Sequence, residues 1–324
     1  MSQLVQLTGI ARLAAQGDQL EEKRRVEYRT LPTRKWLNRC QSGRVPFDWT
    51  INPYRGCEFG CKYCYARYTH EFMERREPTA FETEIYAKDW DTSEFRHELQ
   101  SVKPAQTIAI GTATDPYQPA ERRFERTRRV LETLSGMRGI SIYVTTKSDL
   151  VSRDASLFAV LSKDNDVRIT VTVTTVDRDL ARLTEPMAPR PDLRLKAVAK
   201  LAAAGVIVGV IASPVLPMIT DSRENLANVA HAAKTAGASY FCAGVLFLKP
   251  SAQRVFFPFL AEKFPQYLAR YRKSYLTGAY LKGTYPERIR QIVSEVREQA
   301  GIPPREFSRP FVPAPVDSQL LLFP

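Results

Sequence analysis

The chain has 324 residues, 44% hydrophobic and 25% charged, and its 47 Lys+Arg against 35 Asp+Glu leave a net charge of +12. That composition excludes collagen, a coiled coil and wholesale disorder, and the length admits two domains or one long α/β barrel. No apolar run approaches the ~20 residues of a membrane span, so no membrane partner is expected. The first residues lack the pattern of a secretory signal, and five unevenly placed cysteines are not a disulfide framework. The expectation is a cytoplasmic protein whose thiols bind something.

Charge is concentrated at the two ends. Residues 1–56 carry ten Lys/Arg against five Asp/Glu, and residues 251–310 carry eleven against five. The 194 residues between them are close to neutral, at +2. Four segments are expected: a basic extension over 1–48, a core over 49–250, a basic helical region over 251–309, and a tail over 310–324.

In chain order, the basic extension includes Lys23, Arg24, Arg25, Arg29, Arg34, Lys35, Arg39 and Arg44. A short apolar run at 49–52 predicts the first strand of the core. Further β-branched runs at 107–110, 140–145, 167–175, 206–212 and 239–248 alternate with helical patterns at 122–135, 155–162, 191–204 and 223–236. Pro191 suits a first helical turn, while Gly205 and Gly237 suit C-terminal stops. Alternation of this kind means parallel strands joined by right-handed crossovers. Six strand–helix units predict an α/β fold, a partial (β/α)6 TIM-like barrel with N-terminal and helical C-terminal extensions. Along the fourth strand, Thr170, Thr172 and Thr174 alternate with Ile169, Val171 and Val173. Either the hydroxyls face a polar lumen, or the strand is an edge with its threonines in water.

The strongest chemical signal follows the first strand. Cys57, Cys61 and Cys64 stand at C-x3-C-x2-C on a loop at a strand's C-terminal end, where parallel α/β folds place their chemistry. Thiolates suit zinc or iron–sulfur clusters. Three protein ligands leave one position open for a substrate or cofactor. With His70, six residues beyond Cys64, they also make a conceivable Cys3His zinc set, although all four ligands then lie within fourteen residues.

The cysteines, with Tyr63 just before the last, resemble the motif of the radical S-adenosylmethionine superfamily. The string from Asn52-Pro53-Tyr54-Arg55-Gly56 through Tyr65-Ala66-Arg67 and Thr69-His70 resembles its spore photoproduct lyase-like branch. Thr146-Lys147-Ser148, Arg153-Asp154, Glu185-Pro186 and Ser213-Pro214-Val215-Leu216-Pro217 follow in the order seen in that branch. The resemblance implies that Cys57, Cys61 and Cys64 hold a [4Fe–4S] cluster and that S-adenosylmethionine binds its open iron. Reduction by a flavodoxin- or ferredoxin-type partner then yields a 5′-deoxyadenosyl radical that abstracts a substrate hydrogen. By the same resemblance Tyr63 packs near the adenine. The Gly111-Thr112 turn stands where the family receives the cofactor's amino group, but lacks the Gly-Gly-Glu form. Lys147 is a candidate cation for the cofactor's carboxylate, and Thr172 or Thr174 a candidate hydroxyl for its ribose or carboxylate. Lys88, Asp115 and Glu185 are polar candidates without an assigned place, and His97 and His231 are expected on helix surfaces.

One departure from the branch stands out. Spore photoproduct lyases carry a cysteine shortly after the second strand that returns a hydrogen atom to the product radical. Residues 111–115 contain none, and Cys242 on the last strand is the only later cysteine, a weak catalytic candidate.

Tyrosines and cations interleave over 266–290, including Tyr267, Arg270, Tyr271, Arg272, Lys273, Tyr275, Tyr280, Lys282, Tyr285, Arg288 and Arg290. Such a mixture serves nucleic-acid binding, or forms a covering helix with buried tyrosines and solvated charges. After Pro310, Pro313 and Pro315, the end Gln319-Leu320-Leu321-Leu322-Phe323 resembles the bacterial sliding-clamp-binding peptide, with Gln319, Leu320, Leu322 and Phe323 as its contacts. The expectation is a radical enzyme acting on nucleic acid, in DNA repair or modification. The alternatives are the same chemistry on tRNA, peptide or a small molecule, and a metal-stabilised nucleic-acid-binding protein without turnover.

Overall fold

A computed structural model describes residues 9–304, apart from 17–18, 24–25, 34 and 41–44. The tail with Gln319, Leu320, Leu322 and Phe323 lies outside the described residues, as do Arg24, Arg25, Arg34 and Arg44 of the basic extension.

Eleven strands form two sheets: β1 (Gln19–Lys23), β2 (Val26–Leu31), β3 (Leu37–Arg39), β4 (Trp49–Ile51), β5 (Tyr54–Arg55), β6 (Glu84–Lys88), β7 (Thr107–Ile110), β8 (Ser141–Thr146), β9 (Asp166–Thr172), β10 (Ile207–Val215) and β11 (Phe241–Val245). The larger sheet runs β11-β10-β9-β8-β7-β4-β3, and its pairings from β4 to β11 are all parallel. These are the six strands expected from the sequence, side by side in chain order, as right-handed crossovers require. The sheet is an open partial barrel, with the antiparallel β3 on its β4 edge.

Helices Arg126–Leu134, Ala155–Leu161, Pro191–Ala203 and Arg223–Thr235 cover its outer face. Ile108, Ile142, Val144, Ile169, Val171, Val208 and Val210 are buried beneath them with Val130, Phe158, Val198 and Val229. Branched side chains on adjacent strands meeting helical ridges are the usual core of such folds, at about 25 cal/mol per Å² of apolar surface removed from water.

The expected helix over 122–135 is broken. Two helices, Glu121–Phe124 and Arg126–Leu134, meet at Glu125, which has φ of 50°. The break follows from Glu121, which is fully buried. Its carboxylate accepts the Tyr54 hydroxyl at 2.5 Å and the Thr127 and Arg128 amides at 2.8 and 3.1 Å. It thereby caps the second helix instead of extending the first.

The smaller sheet, β1-β2-β6-β5, was not anticipated as a sheet. β2 pairs parallel with β6, and β5, just before the cysteines, pairs antiparallel with β6. The boundary expected at residue 48 is therefore crossed twice, by β2 on β6 and by β3 on β4.

In the C-terminal region, helices Pro250–Lys263 and Pro265–Ser274 seal the end of the barrel. Their Phe256, Phe259 and Tyr271 share a core with Phe59 and Tyr63 of the cysteine loop. Helix Tyr285–Gln299 packs Ile289 and Val296 into the main core. Tyr271 and Tyr275 are buried, donating to the Pro217 and Leu246 carbonyls at 2.7 and 2.9 Å. Tyr285 donates to Asp221 at 2.9 Å. These three tyrosines hold the covering helices, so most of the interleaved segment is cap and not stacking surface. Tyr280 is different, at 52% exposed.

Candidate active site

The cysteine loop is held from both sides. Gly56 has φ of +81°, and a Cβ there would meet the Glu84 and Phe81 carbonyl oxygens at 2.8 and 2.9 Å, so only glycine fits between β5 and β6. Its own carbonyl accepts the Thr114 hydroxyl at 2.5 Å and the Gln118 amide at 3.0 Å. The Cys57 amide donates to Phe81 O at 2.8 Å, and the Lys62 amide to Thr184 O at 3.0 Å. Glu58 is buried and accepts the Tyr28 hydroxyl and the Ala120 amide, both at 2.8 Å. Arg67, also buried, donates to Cys61 O at 3.1 Å and pairs with Glu82 at 2.5 Å. A loop carrying three thiols is thus as rigid as the sheets beside it.

Cys57, Cys61 and Cys64 line a cavity of about 340 Å³ at the C-terminal ends of the parallel strands. The same cavity is lined by Gly111, Thr112, Thr114 and Asp115 after β7, by Thr145, Thr146 and Lys147 at the end of β8, and by Thr172 of β9. Tyr63, Tyr65 and Phe247 also face it. Gly111 has φ of +87°, and a Cβ would meet Pro116 at 2.5 Å and Thr145 O at 2.9 Å. The left-handed backbone and these contacts therefore admit only glycine at this lining position. Asn52 fixes that turn, accepting the Ala113 amide at 2.7 Å and donating to the Thr112 hydroxyl at 3.1 Å. Tyr65 donates to Thr112 O, tying the end of the cysteine loop to the same turn.

Two buried carboxylates flank the cavity. Asp115 accepts the Thr146 hydroxyl at 2.6 Å and the Lys147 and Tyr117 amides at 2.7 and 2.9 Å, and burial pushes its pKa up. Glu185 takes the Tyr63 hydroxyl, the Thr174 hydroxyl at 3.1 Å and the Arg194 guanidinium at 2.6 Å. Burial works against its charge, but Arg194, Lys147 and the Tyr63 hydroxyl hold its carboxyl below the ordinary range. The Lys147 ammonium sits 5.7 Å from the centre of the Tyr63 ring. Burial opposes its charge too, and Cys61 and Glu185 beside it raise its pKa overall.

The expected residues separate cleanly. Tyr63, Gly111, Thr112, Lys147 and Thr172 line the cavity with the cysteines. Thr174 is buried and spends its hydroxyl on Glu185, behind Tyr63. The threonine row faces inward: Thr170 and Thr172 are buried on the central strand β9 and Thr174 is buried just past its end, with Thr170 2.7 Å from the Tyr240 hydroxyl. Asp115 and Glu185 gain places at the site. Lys88 does not, since its ammonium is buried beside the Trp36 ring and donates to Lys35 O at 3.1 Å. Cys242 lines a separate cavity of about 590 Å³ at the β11 edge, with Ile289 and Arg297. His97 and His231 are exposed on helices.

His70 is no partner of the cysteines. Its Nε2 lies 3.0 Å from Glu84 O and its ring packs against Phe81 and Tyr86. The three thiols line one cavity, and among the described residues no group of three or more His, Cys, Asp and Glu is gathered to hold a metal ion. With His70 engaged elsewhere the closed Cys3His zinc set is not assembled, whereas three thiolates with one open position are a donor set that an iron–sulfur cluster takes. Burial raises all three thiols, Cys61 to about 12. A cationic metal group beside them reverses that preference.

Sequence reasoning missed Asn52, Arg67 and Arg194 as site residues. Asn52 and Arg67 stood inside the motif string, where their types, an amide and a guanidinium beside a tight loop, were the available signal. Arg194 had none, because in a helical pattern it reads as a solvated charge. Its guanidinium instead donates to Thr172 O at 3.1 Å and to Pro189 O at 2.6 Å beneath the cavity.

Comparison with known proteins agrees with this geometry. The uncharacterized protein Rv2578c of Mycobacterium tuberculosis (strain ATCC 25618 / H37Rv) is 34% identical over 283 residues, covering 86% of this chain and 81% of its own. The uncharacterized protein MJ0683 of Methanocaldococcus jannaschii is 28% identical over 177 residues, 53% of this chain and 62% of its own. Spore photoproduct lyase complexed with dinucleoside spore photoproduct shares the fold with a TM-score of 0.65 at 14% identity, over 84% of this chain and 79% of that one. A mutant of that lyase with bound AdoMet and dinucleoside spore photoproduct aligns with a TM-score of 0.63 at 15% identity, over 82% and 77% of the two chains. The family model described as the radical SAM superfamily matches residues 51–230. The chain belongs to the radical SAM superfamily and is an enzyme of that superfamily.

Proposed function

We propose that this enzyme holds a [4Fe–4S] cluster through Cys57, Cys61 and Cys64, binds S-adenosylmethionine in the adjoining cavity, and acts on nucleic acid in DNA repair or modification. The observation that carries the chemistry is the cavity itself. The three thiols, the Gly111–Thr112 turn, Lys147 and Thr172 all line it. Bound there, the pair supplies hydrogen-atom abstraction by a carbon radical.

The chain's own residues bind, orient and exclude water. Cys57, Cys61 and Cys64 bind the metal group and leave one coordination position to the cofactor. The Gly111–Thr112 turn, held by Asn52 and Tyr65, receives the cofactor's ammonium. Lys147 faces its carboxylate, and Thr172 offers a hydroxyl to its ribose or carboxylate. Tyr63, fixed by Glu185, packs its ring along the adenine. Phe59, Ala66, Phe81 and Phe247 give the cavity apolar walls. A reactive intermediate needs such walls to keep water from intercepting it.

Two features support nucleic acid as the substrate class. The fold resembles that of a lyase seen with a dinucleoside, and basic residues are concentrated at both ends of the chain. An enzyme of this kind works with a one-electron reductant of flavodoxin or ferredoxin type. The terminal Gln319, Leu320, Leu322 and Phe323 would carry it to DNA on a sliding clamp.

Anaerobic purification and reconstitution test the chemistry. A brown protein with about four irons per chain, yielding 5′-deoxyadenosine when reduced with the cofactor, is expected. A colourless zinc protein overturns the proposal. DNA deuterated at sugar and base positions then tests the substrate class: deuterium must appear in the 5′-deoxyadenosine, and its absence with every DNA offered removes DNA from the reading.

A further inference from the structure

We propose that the mouth of the cavity continues into a path for a single nucleic-acid strand. An aromatic ledge of Phe247 and Tyr280 stacks an unpaired base, and a cationic hollow of Arg270, Lys282 and Arg288 takes the adjoining phosphodiester. This rests on the nucleic-acid reading above and assigns residues to it.

The ledge begins inside the site. Phe247 lines the cysteine cavity, with its ring 5.8 Å from Tyr65 and 4.4 Å from Tyr280 at an interplanar angle of 34°. Of the tyrosines in the C-terminal region, Tyr271 and Tyr275 are buried while Tyr280 is 52% exposed. Tyr280 is held against the barrel because the Leu248 amide donates to Ala279 O at 2.9 Å. An exposed ring fixed beside an active-site opening offers a flat face of the kind that bases stack on. The Lys249 ammonium lies 3.6 Å from the centre of the Tyr68 ring and 6.0 Å from that of Phe247, adding a cation at the same rim.

The hollow begins two residues further on. Lys282 lines a cavity of about 490 Å³ with Arg270 and Arg288. Two residues of chain span at most about 7 Å, so the backbone that carries Tyr280 and the backbone that carries Lys282 lie about one nucleotide apart. Among the described residues Arg270 and Lys282 have no carboxylate within ion-pair distance, and both are exposed. The one acid in the hollow, Asp221, already accepts the Tyr285 hydroxyl at 2.9 Å and the Met218 amide at 2.8 Å, with Arg288 at 3.5 Å. Cationic charge is therefore in excess there, and an anion is the complementary ligand. A ring face followed by unpaired cations fits a strand whose bases are unstacked; an acidic peptide offers the charge without the ring. The occupant is single-stranded nucleic acid.

The test is equilibrium binding of a fluorescein-labelled single-stranded DNA to the full-length protein over a range of salt. Tyr280→Ala is expected to weaken binding roughly 5- to 100-fold, while Tyr280→Phe, which keeps the ring, stays within about twofold of the parent. Arg270→Gln combined with Lys282→Gln should reduce the slope of log K against log salt by about 0.7, the share of one phosphate contact on a single strand. Parental affinity in Tyr280→Ala and a parental slope in the double variant overturn the path while leaving the nucleic-acid reading intact. A parent protein that binds no strand at all overturns both. An acidic peptide that displaces the strand at equal concentration overturns the nucleotide assignment.

Discussion

Glycine and histidine show how single positions around the cysteine loop constrain it. At Gly56, left-handed backbone and two carbonyl oxygens under 3 Å from a would-be Cβ leave no room for alanine. Gly56→Ala should cost about 3 kcal/mol or more, read by chemical denaturation, and reduce iron retention because Cys57 is the next residue. Gly111→Ala, which meets Pro116 and Thr145 O in the same way, should impair cofactor binding more than iron content. His70 sets a pH dependence. Burial lowers its pKa to about 4 from an ordinary value of 6.5. The unfolded chain then binds the extra proton between those two values, so stability is complete above about pH 6.5 and falls as the solution is acidified toward pH 4. The loss reaches about 3 kcal/mol. In urea titrations at pH 7 and pH 4.5, His70→Gln should show a smaller drop than the parent; an equal drop refutes this assignment.

At the scale of elements, the cavity depends on how helices are tied to strand ends. Arg194, on helix Pro191–Ala203, reaches under the cavity to Glu185 and to the Thr172 carbonyl at the end of β9. Both charges are buried, so removing Arg194 leaves the Glu185 carboxylate without its guanidinium, held by the Tyr63 and Thr174 hydroxyls. Arg194→Met should destabilise the protein by about 3–5 kcal/mol, whereas the combined Arg194→Met, Glu185→Gln change should recover part of that loss. Denaturation of the single and combined variants decides it, and an additive loss rejects the coupling. Glu121 does related work, capping helix Arg126–Leu134 while receiving the Tyr54 hydroxyl next to the cysteine loop. Here the helical periodicity of 122–135 misled, because a carboxylate buried by a distant strand interrupts a helix that local propensity would continue.

Across the whole molecule, the two ends of the chain serve the barrel before they serve any partner. β2 and β3 extend its sheets, and the C-terminal helices bury Tyr271 and Phe256 against the cysteine loop. No described helix is long and apolar enough to cross a membrane. The turn after β7, residues 111–115, holds no cysteine, and Asp115 within it is a carboxylate held by three hydrogen bonds. A pinned carboxylate does not donate a hydrogen atom to a carbon radical. Reconstituted enzyme should therefore give little or no repair of the thymine photodimer, and efficient repair in a product assay refutes that expectation. A chain ending at Asp317 should lose sliding-clamp binding and keep its cluster; equal clamp affinity of the two chains removes the terminal peptide from the account.

Six parallel strands, their order, and the cysteine loop at a strand end were all legible in the sequence. Each is a local signal: period-two apolar runs, helical stripes between them, and three thiols at fixed spacing in one short segment. What surrounds the thiols was not legible, because it is assembled from positions far apart in the chain. Thr172, Glu185 and Arg194 meet Tyr63 across more than a hundred residues, and a buried arginine looks like a solvated one until a fold removes the water. The interleaved tyrosines and cations likewise had two readings of equal local merit. Packing separated them, burying Tyr271 and Tyr275 as cap and leaving Tyr280 at the mouth of the site. Sequence alone determined the chemistry the chain is equipped for; burial and long-range hydrogen bonds, which only the tertiary structure supplies, decided which residues stand around it.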